Sequence, residues 1–179
     1  MLVIEIPATE LFDEESNTLI TTERTYLELE HSLVALSKWE FKYKKRFLDN
    51  NVKKTNDETF DYIRCMALNT IPEESYTALF SNPLLIQKIF DYITDTHTAT
   101  VIKATGSNNN GEAVTSELIY YWMVAAQIPW EAQYWHLNRL ITLISLVGEK
   151  NKPQKKMSAA EVAKQNHALN QERKAKRGK

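Results

Sequence analysis

The chain contains one cysteine, Cys65, so no internal disulfide can staple it. A lone thiol also falls short of a zinc site, which needs several Cys or His ligands at close spacing. Only four glycines are present, leaving little material for phosphate-cradling loops. No Walker loop, GxSxG, HExxH or GxGxxG pattern occurs. Long apolar runs are missing as well. The best candidate, which begins at Thr115, is interrupted by Glu131, Gln133, His136, Asn138 and Arg139, so no membrane span is expected. The first residues lack a basic region followed by an apolar core, so no secretory signal is expected and a reducing cytoplasm is the default compartment. Together these absences point away from an enzyme and toward a cofactor-free, metal-free protein that works by binding.

What is present is an ordinary globular composition, 43% hydrophobic and 25% charged, in 179 residues, the size of one domain with a tail. The net charge of −1 conceals an asymmetry. Residues 150–179 hold ten basic and two acidic residues, a charge of +8, against −9 for residues 1–149. The expected organisation is therefore a body over 1–149 and a basic, conditionally ordered C-terminal arm over 150–179. Within the arm, Ser158 followed by Glu161 reads as a capping box opening a helix over Ala159–Lys176. Its apolar content is thin, so order there depends on a partner.

The expected fold class is mainly α (α+β), with a small N-terminal antiparallel sheet. Strands are expected at Leu2–Ile6, Thr18–Thr22 and Thr25–Leu29, where β-branched and aromatic residues concentrate. Apolar spacing predicts helices near 32–47, 57–68, 83–94, 116–127 and 130–147, with a short one from Pro72 to Phe80. Composition makes Thr98–Ala104 a candidate edge strand and Thr105–Glu112 a loop. The stretch from Thr115 to Gly148 is the most apolar and aromatic of the chain. Pro129 divides it, so it reads as helix, sharp turn, helix, with Gly148 as the stop. Trp122, Leu137 and Leu140 are expected in the core.

His136, beside Arg139, reads as a buried structural or hairpin-bridging histidine rather than a base. His31 reads as a local capping group, and His97 and His167 fall in unrelated segments. Cys65, inside the apolar run YIRCMAL, reads as a small hydrophobe. The aromatics Tyr120, Tyr121, Trp122, Trp130, Tyr134 and Trp135 have two available fates. One is the core, the commoner fate of a helical aromatic stripe. The other is a binding face, since Tyr and Trp are favoured at interfaces. The candidate partner-binding residues are Tyr121, Trp122, Trp130, Tyr134, Trp135 and Arg139, with Lys155, Lys156 and Arg173 of the arm. The arm also admits a second reading, a nucleic-acid-binding packaging or regulatory protein. A body charge of −9 opposes that reading, and the arm lacks interleaved aromatics for base stacking.

The run TSELIYYWMVAAQIPWEAQYWHLNRLITLI, followed by KPQKKMSAAEVAKQNHALNQERKAK, resembles the tail assembly chaperones of long-tailed bacteriophages of Gram-positive hosts. IPATELFDEESNTLITT, LELEHSLVALSKWEFKYKKRFL and ETFDYIRCM extend the resemblance over nearly the whole chain. It implies a non-catalytic protein that escorts the tape measure protein in the host cytoplasm during tail assembly and is absent from the mature virion. It also implies self-association as a further interaction, and a longer form made by translational frameshifting.

Overall fold

The computed structural model describes residues 1–13, 18–100 and 114–151, and residues 163, 164, 166, 167, 169–171 and 173 of the C-terminal part; for 11–13 and 18–20 it describes the backbone alone. Two compact units result, Met1–Gly148 and Glu149–Lys179. The architecture is mainly α with a small antiparallel β component.

The first 29 residues form a two-stranded ribbon from β1 (Leu2–Ile6), β2 (Thr9–Asp13), β3 (Thr18–Thr22) and β4 (Thr25–Leu29). β1 pairs with β4, Leu2 opposite Leu29, and β2 with β3, Thr9 opposite Thr22. The register runs unchanged through the interruption at Pro7–Ala8 and Glu23–Arg24. Pro7 has no N–H to give to the ladder, which breaks it there. The Thr22 hydroxyl bridges the gap, accepting from the Thr9 N–H and donating to the Thr9 carbonyl, both at 3.1 Å. β2 was not expected from composition and forms because it has a partner in β3. Alternation gives the ribbon one buried face, Ile4, Ile6, Leu27 and Leu29, and leaves Val3 and Tyr26 outside.

The helices are α1 (Leu33–Tyr43), α2 (Asn56–Met66), α3 (Glu73–Phe80), α4 (Pro83–Thr94), α5 (Ser116–Ala125) and α6 (Leu137–Asn151). Their starts follow cap chemistry. Ser32, Thr55 and Thr115 each accept a backbone N–H from the first turn, and Thr55 with Glu58 forms a full capping box. The Asn82 side chain accepts from Leu84 and Leu85, with Pro83 at the first helical position. α1 stops four residues short of the expected end because Lys44 adopts a left-handed backbone conformation, φ 54°, while donating to the Glu40 carbonyl. Thr98–Thr100 are not strand, and 101–104 lie outside the described residues, as does the loop Thr105–Glu112.

The segment 130–147 is not one helix. A short 3-10 helix covers Trp130–Tyr134, Trp135 is extended, and α6 then runs through Gly148 to Asn151. Gly148 is therefore no stop. Its position is open, with nothing within 4 Å of where a Cβ would stand.

Two apolar clusters share α1. Ala35 and Trp39 join the ribbon and α2–α4, with Tyr62, Ile63, Met66, Leu79 and Ile89. Leu33 and Leu36 join Ile119, Met123, Ile128, Ala132, Leu137 and Leu140. Leu137 and Leu140 are fully buried, as expected; Trp122 is only partly buried, at the margin of the second cluster. α5 buries Ser116, Ile119 and Met123 rather than Trp122. A helix that is apolar all round has no distinctive inner face until its neighbours choose one.

Candidate functional site

Two features converge on the α5–α6 segment. The first is a set of exposed aromatics. α5 ends at Ala125 with Ala126 as its cap, Gln127 takes a left-handed conformation with φ 53°, and the Ile128 N–H donates to the Met123 carbonyl at 2.9 Å. This tight reversal buries Ile128 and Ala132 and turns their neighbours outward. Tyr121 is 66% exposed, Trp130 53%, Tyr134 61% and Trp135 38%. These four candidate residues thus lie on the surface, contrary to the commoner core fate. The cause is the 3-10 geometry: three residues per turn cannot present Trp130 and Tyr134 to the core together with Ala132. Tyr120 packs beside Trp130, centroids 5.2 Å apart, and its hydroxyl donates to Gln133 Oε1 at 3.1 Å. The body also holds α5 in place. The buried Glu40 carboxylate accepts from the Ser116 N–H at 2.7 Å and from the Phe47 N–H at 3.1 Å, fastening the start of α5 to α1. No sequence pattern marked Glu40 for this task.

The second feature is a cluster of three histidines from three distant segments. Residues 135–137 run beside 31–32, with a bridge between Ser32 and His136 and the Leu137 N–H donating to the His31 carbonyl at 2.7 Å. This places the His31 and His136 rings 5.0 Å apart. The chain after α4 brings His97 to 4.0 Å from His136. His97 sits at φ 49°, a conformation that costs a non-glycine residue energy, and its ring lies against Tyr92 and His136. His31 Nδ1 and the Tyr62 hydroxyl are 2.7 Å apart. His136 Nε2 lies 3.0 Å from the Tyr92 carbonyl, which can only accept, so this nitrogen carries the hydrogen. Its buried Nδ1 has no partner among the described residues.

His136 and Asn138 together serve the last turn of α4, where helix carbonyls lack intrahelical donors. Asn138 Nδ2 donates to the Ile93 and Asp95 carbonyls at 2.9 and 2.8 Å. Burial lowers the His31 pKa to about 3, helped by its histidine neighbours, and burial lowers that of His136 as well. The His31 and His136 imidazoles are therefore neutral in the fold at neutral pH. The Tyr92 hydroxyl donates to Glu30 Oε1 at 2.6 Å, and Glu30 Oε2 lies 2.6 Å from the Met1 amino group. Burial, then this carboxylate, push the Tyr92 phenol up. Among the described residues no group of His, Cys, Asp and Glu has the arrangement of a metal site.

Beside this cluster opens a cleft of about 270 Å³ lined by Met1, Glu30, His97, Tyr134, Trp135, His136 and Arg139. Arg139 is one of the candidate partner-binding residues. It is exposed, its guanidinium carbon 4.6 Å over the Trp135 ring. Cys65 is half-buried against the first cluster, and burial raises its thiol pKa, so it is a poor nucleophile. Arg173 is helical and exposed; Lys155 and Lys156 lie outside the described residues. Among the described residues no helix is long and apolar enough to cross a membrane. No family model, curated protein or solved structure matches the chain.

Proposed function

We propose that this chain is a non-catalytic tail assembly chaperone of a bacteriophage, holding the tape measure protein in the host cytoplasm while the tail is built. The observation that carries the reading is the exposed aromatic set at the α5–α6 turn, Tyr121, Trp130, Tyr134 and Trp135. Large aromatics left in water invite a partner, because covering them removes apolar area from solvent and their polar atoms remain free to bond. The rigid turn beneath them, anchored by Ile128, Ala132 and Leu137, presents them at low entropic cost. The sequence resemblance supplies the identity of the partner.

Co-expression with the tape measure protein is expected to raise its solubility and yield a complex. The double variant Trp130→Ala, Tyr134→Ala should bind at least about tenfold more weakly, the loss of a modest interface anchor. Its thermal midpoint should change little, since both side chains are more than half exposed. A tape measure protein that stays insoluble, or that binds the double variant unchanged, would overturn the reading.

A further inference from the structure

Arg139 stands in the first turn of α6, where the helix dipole opposes a cation, and no acidic residue shares that turn. Its stacking on Trp135 engages the face of the guanidinium. The N–H donors at its edge have no carboxylate partner among the described residues. The nearby Glu30 is already engaged, the Tyr92 hydroxyl donating to one of its oxygens and the Met1 amino group pairing with the other. The result is a preoriented donor fork at the rim of a cleft lined also by Met1, by Glu30 and by imidazole and aromatic rings.

We propose that this cleft takes a single carboxylate, the side chain of a glutamate or aspartate on the partner chain. A planar guanidinium edge matches a carboxylate with two parallel hydrogen bonds. One fork fits one such group. A phosphate dianion is disfavoured, since the carboxylates of Glu30 and Asp95 nearby repel a double charge more strongly than a single one. Tyr134 and Trp135 belong both to the cleft wall and to the exposed aromatic set. An acidic residue seated on Arg139 therefore brings its apolar neighbours onto those rings. This assignment rests on the proposed chaperone reading and gives it a chemical signature: the bound segment is apolar with an acidic residue at its edge.

The test has two arms on the full chain. In the first, acetate and inorganic phosphate are titrated at constant ionic strength while the Arg139 Nε–H and Trp135 indole N–H resonances are followed. Saturable shifts with acetate, weaker ones with phosphate, and none in Arg139→Gln support the site. No acetate shift, or an equal response to phosphate, overturns it. In the second, Arg139→Gln is expected to bind the tape measure protein about tenfold more weakly at an unchanged thermal midpoint. If Arg139→Gln binds normally while Trp130→Ala, Tyr134→Ala binds weakly, the carboxylate anchor is wrong and the chaperone reading stands. If no form binds, the chaperone reading fails and the anchor with it.

Discussion

Replacing Trp39 by alanine is expected to remove about 3–5 kcal/mol of folding stability, the usual cost of emptying a large aromatic site in a core. Trp39 is completely buried, and its ring lies 4.9 Å from those of both Tyr43 and Phe47. Phe47 in turn stacks on Tyr62 at 3.8 Å. The indole Nε1–H also donates to the Glu58 carbonyl at 2.6 Å, joining α1 to the first turn of α2. Trp39→Phe separates the two contributions. It keeps an aromatic ring in the site and loses the hydrogen bond, so roughly 1–2 kcal/mol should go. Urea denaturation of the two variants checks both figures. Because a domain of this size is stable by about 5–15 kcal/mol, the alanine variant should lose a large share of its stability. An alanine variant that loses less than 1 kcal/mol would mean that the shared core is not organised about this residue.

Acid should weaken the fold from about pH 6.5 downward, and His31 is the reason. Its pKa falls from the ordinary 6.5 to about 3 in the folded chain. Below pH 6.5 the unfolded chain therefore binds a proton that the folded chain refuses, so stability decreases as pH falls and goes on decreasing down to about pH 3. One such proton is worth about 1.4 kcal/mol per pH unit, or about 3 kcal/mol between pH 6.5 and 4.5. His136 is lowered too and adds in the same direction. The carboxylates of Glu58 and Glu73, held down by Lys45 and Arg64, contribute only below their ordinary value of 4.5. The two windows are thus separable. Denaturation midpoints between pH 7 and 4.5 should decline, and His31→Gln, whatever its own stability, should flatten that decline by about one proton. A wild-type midpoint constant over this range would show that the cluster titrates freely in the fold.

The sequence alone determined the parts governed by neighbours a few residues apart. Asn82-Pro83 set the start of α4, Thr55 with Glu58 set the start of α2, and alternation in Leu2–Ile6 and Thr25–Leu29 set the inner face of the ribbon. Leu137 and Leu140 were legible as core. Tertiary structure decided whatever depended on a distant partner or on a choice among equivalent faces. Thr9–Asp13 became a strand only because Thr18–Thr22 lay opposite it. α5 offered apolar residues on every side, so the cluster around α1 selected Ile119 and Met123, and Trp122 was left half-covered. The break at Trp135 rotated Trp130 and Tyr134 outward and detached them from the stripe of α6. His31, His97 and His136 lie far apart in sequence and share no spacing, yet the fold closes them to within 5 Å of one another along a chain of rings. Local order follows from short-range hydrogen bonding and periodicity. The cleft beneath Arg139 exists because three segments with no common pattern bring their rings together at the same helix end.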